Sequence, residues 1–317
     1  MTTRNLLLCF DAFGTLFTPK QPIAEQYAIV ARQCGLDGFS VDQVKASFKA
    51  AFSEEFKAHP NYGRASGMGA ARWWTNVINN TFQPLVKPPC KLPVDLAPRL
   101  LHRFSSNEGY TLSPGVDALL RSLKKQQHHR SSRIIVGVIT NSDDRVPSIL
   151  TSLGLRVSPF RFGSPVNFDQ VVGQEYDVDM HCISYDVGFA KPDRRIFDAA
   201  KGMAEQLAAA RNAGEPLAQG AEQVAGKEEE RWIKLYIGDE YEKDVIGACA
   251  AGWHSVFIGT ESDIPPGENG MLDLEQCRTA APEEVFGEGQ PPTAIRAGST
   301  QDLIRWLSKR CAGGSSS

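Results

Sequence analysis

The sequence predicts an α/β protein, with a parallel sheet interrupted after its first strand by a helical module. Three observations carry this. Apolar runs rich in Val, Ile and Leu recur at 6–10, 134–139, 235–237 and 255–258, with a weaker one at 181–184; such runs, separated by helical stretches, read as strands of βαβ units. Residues 21–108, roughly, hold no such run and show apolar spacings of three and four instead. Polar residues able to do chemistry follow the runs, where open α/β sheets place their sites.

The composition supports an ordinary globular chain. At 317 residues and 42% hydrophobic content, it can bury a substantial core. Its 34 basic residues stand against 37 acidic ones, so charge gives no ground for nucleic acid or an anionic membrane as partner. No apolar stretch reaches the roughly 18 residues a membrane span needs. Seven cysteines, odd in number and without a C-x-x-C pair, argue against a disulfide framework or a zinc site. They read as reduced thiols in a cytoplasmic or nuclear compartment. Only Arg4 flanks the first apolar run as a basic residue and no cleavage site follows, so no secretory signal is expected.

Each element has its own reason. Run 6–10 is a buried strand that stops at Asp11 and turns through Gly14. In the helical module, Ile23-Ala24-Tyr27-Val30-Ala31 and Val44-Phe48-Phe52-Phe56 each fall on one helix face. Ser113-Pro114-Gly115 opens a helix returning to the sheet, with Val116, Leu119, Leu120 and Leu123 as its buried stripe. The stretch 211–230, rich in Ala, Gly, Gln and Glu, reads as a solvated loop, as does the Pro/Gly/Glu-rich 262–298. The expected division is a core of 1–18 and 109–311, a helical cap of 19–108 acting as a lid, and a flexible tail at 312–317. The six histidines lie in no ligand spacing and are expected to be exposed or to serve packing.

The chemistry is expected in four places. Asp11, at a strand end, is a candidate nucleophile. Thr140, in Thr140-Asn141-Ser142, can hydrogen-bond an oxyanion, aided by free N–H groups of a helix starting near Asp143. Lys191, stiffened by Pro192 in a first helical turn, can screen the charge of Asp11 and of a phosphate. Asp239 and Asp244, in Gly238-Asp239-Glu240-Tyr241-Glu242-Lys243-Asp244, can converge on a hard cation.

This ordered set resembles the haloacid dehalogenase superfamily over nearly the whole chain. The motifs are D-x-x-G-T-L at 11–16, the Thr motif at Thr140, Lys191, and G-D-x-x-x-x-D at 238–244. Pro60-Asn61-Tyr62-Gly63 followed by Arg72-Trp73-Trp74 is similar to the rhythmically-expressed-gene-2-like branch; by residue chemistry alone, Trp73 and Trp74 are core aromatics of the helical module. The resemblance implies a Rossmann-like core and a Mg²⁺-dependent phosphatase acting on a small phosphorylated molecule through an aspartyl-phosphate on Asp11. It further implies that Lys191, Thr140 and Asn141 hold the phosphoryl oxygens, and that Asp11, Asp239, Asp244 and the main-chain carbonyl of Phe13 surround the metal.

Phe13 departs from the pattern. A phosphatase of this kind carries an aspartate there that protonates the leaving group, work worth about 10²- to 10⁴-fold in rate. A slow enzyme is therefore expected, biased toward leaving groups that need no proton, such as aryl or acyl phosphates. Two alternatives fit an aromatic residue at position 13. One is 2-haloacid dehalogenase chemistry, in which halide leaves unprotonated. The other is a phosphate-binding or regulatory protein with little turnover. The retained pair Asp239 and Asp244, and Lys45 and Lys49 without an arginine in 44–51, weigh against the dehalogenase.

Overall fold

The structure is a computed structural model and describes residues 5–309, except 88, 128–132, 166, 168–170, 215–231, 267–270, 275–284 and 287–290. Its centre is a parallel sheet of β1 (Asn5–Phe10), β4 (Ile134–Thr140), β5 (Met180–Ile183), β6 (Trp232–Gly238), β7 (His254–Ile258), β8 (Leu272–Asp273) and β9 (Ala294–Ala297), in the order β5-β4-β1-β6-β7-β9-β8. The α/β, Rossmann-like class expected from the sequence is the one observed. β2 (Phe17–Pro19) and β3 (Tyr110–Leu112) pair separately.

The helices are α1 (Ile23–Gln33), α2 (Val41–Ala58), α3 (Ala70–Phe82), α4 (Leu96–Arg103), α5 (Val116–Gln127), α6 (Val146–Ser152), α7 (Ser184–Val187), α8 (Arg194–Gly214), α9 (Gly247–Ala250) and α10 (Thr300–Lys309). Two compact units result: a sheet unit of 1–17, 112–141 and 155–317, and a helical unit of 18–111 and 142–154. Residues 142–154, which the sequence division places in the core, group with the helices in this partition. Within that unit the Trp74 indole N–H donates to Asp143 Oδ2 at 2.6 Å.

In the sheet unit β1 is central, with Phe10 opposite Val138 of β4 and Ile237 of β6. That register brings the residues following three strands to one edge. β4 is buried along its whole length, which is why it reads as a continuous apolar run. Val116, Leu119, Leu120 and Leu123 of α5 are buried as their spacing predicts.

Two expected loops hold structure. Arg211, expected in a solvated loop, lies in α8 and donates to Asp179 at 2.8 Å; residues 215–230 of that stretch lie outside the described residues. Within 262–298, β8 and β9 form, β9 pairing with β7. β9 was hidden because only Ile295 and Ala297 of its four residues are buried. The tail 312–317 lies outside the described residues.

In the helical unit α2 starts at a reciprocal cap, with Ser40 Oγ accepting from Gln43 N and Gln43 Oε1 accepting from Ser40 N. Its core joins Ala51, Trp73 and Val77 to Phe48, Phe52, Tyr62, Met68 and Trp74. Phe56, expected on the buried stripe, is instead exposed and stacks on Phe52. Asn61 and Tyr62 both adopt left-handed backbone, at φ 50° and 53°. For Tyr62 this costs roughly 1–2 kcal/mol.

Asp179 is fully enclosed and accepts from Lys124, Arg211 and the Val136 N–H. Removing it leaves Lys124 a buried charge without its counterion. Asp179→Ala is therefore expected to lower unfolding free energy by about 3–5 kcal/mol in urea titration, and a loss below about 1 kcal/mol would assign these charges no more than a surface-type role.

Candidate active site

β1 delivers Asp11, whose N–H donates to the Ile237 carbonyl at 2.8 Å, so the strand pairing continues to the carboxylate itself. The chain then folds back at once, with Leu16 and Phe17 N–H on the Ala12 carbonyl and Gly14 N–H on that of Phe17. Gly14 has φ +88°, and a Cβ there would lie 2.1 Å from Asp239 Oδ2. Only glycine permits this approach.

β6 delivers Asp239 and, through a π-helical turn at Tyr241–Ile246, Asp244. Such turns are uncommon and frequent at functional sites. Here the turn brings Asp244 back under the strand end, where it accepts from Glu240 N–H at 2.8 Å. A Cβ on Gly238 would fall 2.2 Å from Asp244 Oδ2.

Asp11, Asp239 and Asp244 each place a carboxylate oxygen within 4.8 Å of the others. Lys191 Nζ lies between two of them, 2.7 Å from Asp244 Oδ1 and 3.1 Å from Asp11 Oδ1. Burial works to lower the Lys191 pKa, but Asp11 and Asp244 outweigh it and hold the ammonium above its ordinary value. The third direction of Nζ is taken by Tyr236 Oη at 2.6 Å, and the Tyr236 hydroxyl donates onward to the Ile139 carbonyl at 2.8 Å.

Three carboxylates thus face a single ammonium. Burial raises the Asp239 carboxyl to about 6, with Asp11 and Asp244 adding to the rise and a hydrogen bond from Thr15 Oγ1 at 2.7 Å opposing it. A site that raises a carboxyl in this way is short of positive charge. All-oxygen donors at this spacing suit a hard divalent cation such as Mg²⁺, and Asp11, Asp239 and Asp244 are residues that could hold one.

Thr140 is buried at the end of β4. Asn141 was expected among the groups holding the transferred oxygens, but its amide is engaged elsewhere. Oδ1 accepts from Lys191 N–H at 2.7 Å, and Nδ2 donates to the Lys191 carbonyl at 2.9 Å. Pro192 follows Lys191 across a cis peptide bond and stands ahead of α8, not in its first turn. The helix expected near Asp143 begins at Val146, and the Asp143 carboxylate itself accepts the Arg145 N–H, so that helix head already has its anion. Phe13 is 46% exposed, with its ring edge-on to Phe17, and supplies no carboxylate.

Sequence reasoning missed Thr15 and Tyr236. Thr15 had a signal, its place inside D-x-x-G-T-L. Tyr236 had none, since inside an apolar strand it reads as core.

The haloacid dehalogenase-like hydrolase family model matches residues 6–252, and the chain belongs to that family. An uncharacterized hydrolase of Schizosaccharomyces pombe is 29% identical over 258 residues, spanning 81% of this chain and 92% of its own. Haloacid dehalogenase-like hydrolase domain-containing protein 3 of Bos taurus is 28% identical over 260 residues, covering 82% and 84%. Among solved structures, a defluorinating L-2-haloacid dehalogenase is similar with a TM-score of 0.53 at 15% identity, covering 96% of this chain and 95% of that one, a likeness of fold. Among the described residues, no helix is long and apolar enough to cross a membrane.

The raised Asp239 carboxyl sets a pH dependence. Its folded pKa, about 6, lies above the ordinary value of 3.8, so between those values the metal-free folded chain holds a proton that the unfolded chain has released. Metal-free stability should therefore fall as pH rises through that window. A cation must displace the same proton, so Mg²⁺ should raise Tm more at pH 7.5 than at pH 5 in thermal unfolding. Equal shifts at both pH values would remove Asp239 from the metal site.

Proposed function

We infer that this chain is a Mg²⁺-dependent phosphatase-type hydrolase acting on a small phosphorylated molecule. The observation that carries the reading is the excess of carboxylate at the strand ends, three against the Lys191 ammonium, at a spacing suited to a divalent cation. A dehalogenase has no use for a cation, so the retained Asp239 and Asp244 favour phosphoryl transfer. When bound, Mg²⁺ would offset the repulsion between Asp11 and the phosphate dianion.

The chain's own residues supply the rest. Lys191 and the Ala12 N–H, at 2.8 Å, both engage Asp11 Oδ1. Oδ2 is thereby the oxygen to attack phosphorus in line. The new Oδ2–P bond forms as the ester P–O bond breaks, and the leaving group departs with its electron pair. Water then attacks the aspartyl-phosphate, releasing phosphate and restoring Asp11. Thr140, at the neighbouring strand end, is the hydroxyl to hold an equatorial oxygen. Asn141 fixes the backbone of Lys191 and is a positioning residue. The Phe13 carbonyl remains the proposed main-chain metal ligand.

Phe13 cannot donate a proton, so leaving groups stable as anions are favoured, aryl and acyl phosphates before alkyl ones. A panel of such esters assayed with and without Mg²⁺ tests this. Turnover should require the metal and fall at least about 10³-fold in Asp11→Asn; undiminished turnover in that variant would contradict the nucleophile assignment.

Restoring the acid gives a second test. Phe13→Asp should raise kcat on alkyl phosphates by about 10²-fold and change aryl phosphates less. Thermal stabilisation by Mg²⁺ with inorganic phosphate, but no hydrolysis by either protein, would support a phosphate-binding protein instead.

A further inference from the structure

The two adjacent tryptophans of α3 do different work. Trp73 is fully buried, and its indole N–H donates to the His59 carbonyl at 2.9 Å. Trp74 is partly buried and donates to Asp143 Oδ2 at 2.6 Å. Its ring is bracketed by Trp73 edge-on at 5.0 Å, Tyr62 stacked at 6.3 Å and the Arg145 guanidinium over its face at 4.4 Å. Tyr62 meets it from a left-handed backbone that Asn61 shares. An aromatic residue keeps that conformation only where its surroundings hold it. The rings of Tyr62 and Trp73 and the Arg145 guanidinium thus bracket Trp74, and Trp73→Phe would keep a ring in that bracket.

The bracket aims an N–H at a carboxylate that is itself fixed. Asp143 is 1% exposed and accepts four hydrogen bonds, from Trp74 and Arg145 Nη2 on Oδ2, and from Arg145 N and Nε on Oδ1. Burial works to raise its carboxyl, but the Arg145 charge and these bonds outweigh it and hold it below the ordinary value. The anchor is a charge-assisted, water-excluded bond, the stronger kind.

Its place in the chain gives it a use. The backbone passes from the sheet unit to the helical unit between Asn141 and Ser142. On one side of that step are Thr140, closing β4, and Asn141, holding the Lys191 backbone by both ends of its amide. On the other side, two residues from Asn141, is Asp143. Two residues span at most about 7 Å, so little slack separates the anchor from the reacting loop. We propose that Trp74, acting through Asp143, is a positioning residue for Thr140 and Asn141, and through Asn141 for Lys191. This rests on the hydrolase site described above, but its structural half can be tested without turnover.

The experiment compares Trp74→Phe with Trp73→Phe in the full chain. Each keeps an aromatic ring and loses one indole N–H; Trp73 serves as the packing control. Amide hydrogen exchange is followed for the peptide covering 138–145, alongside kcat and KM for an aryl phosphate with Mg²⁺. Trp74→Phe should lose protection at 140–143 and lower kcat by about ten- to a hundredfold with KM within about twofold, whereas Trp73→Phe should lower Tm and leave exchange at 140–143 and kcat as in the wild type. Unchanged exchange and kcat in Trp74→Phe, or equal losses in both variants, would overturn the proposal. If the wild type shows no turnover, the hydrolase reading fails and the exchange comparison alone decides. Should Trp74→Phe not fold, Asp143→Asn, which keeps an acceptor for the indole but removes its charge, is judged by the same exchange pattern and the same split between kcat and KM.

Discussion

The structure depends on one buried ammonium. Lys191 Nζ is held by Asp244 at 2.7 Å, Tyr236 at 2.6 Å and Asp11 at 3.1 Å, with almost no exposure. Two carboxylates enclosed this closely would repel each other strongly without a charge between them, and a buried charge left unpaired is costly. Lys191 therefore makes it possible for Asp11 to stay near Asp244 inside the sheet edge. Among the described residues Asp239 accepts from the Thr15 hydroxyl at 2.7 Å, and burial raises its carboxyl.

The approach of these groups is a backbone matter before it is an electrostatic one. β1, β4 and β6 lie side by side in parallel register, so Asp11, Thr140 and Asp239 arrive at one edge from distant parts of the chain. Gly14 and Gly238 then let carboxylates come closer than a Cβ would allow, since a Cβ on them would lie 2.1 and 2.2 Å from Asp239 Oδ2 and Asp244 Oδ2. The π-helical turn completes the set by returning Asp244 toward the strand it has just left.

Much of this was legible in the residues, for physical reasons. Buried parallel strands must be apolar along their length, so β1 and β4 stand out. Residues at their ends escape that demand, so Asp11 and Thr140 are conspicuous by polarity. What was not legible depends on partners far along the chain. β9 buries only alternate residues next to the edge strand β8, and Tyr236 is indistinguishable from a core aromatic until Lys191 is found beside it. Asn141 was readable as a polar strand-end residue. Only the folded chain shows that its amide is committed to the Lys191 backbone. Likewise Trp73 and Trp74 are alike in sequence and differ in whether the indole N–H meets a carbonyl or a carboxylate.

On the proposed function, Asp11 accepts a phosphoryl group beside a cation held by Asp239. A crystal structure grown with Mg²⁺ and BeF₃⁻, a phosphoryl mimic, tests it most directly. Beryllium should be bonded to Asp11 Oδ2 and Mg²⁺ should touch both that group and Asp239, with Lys191 still on Oδ1. Beryllium fluoride bound away from Asp11, or Mg²⁺ held without Asp239, would contradict it.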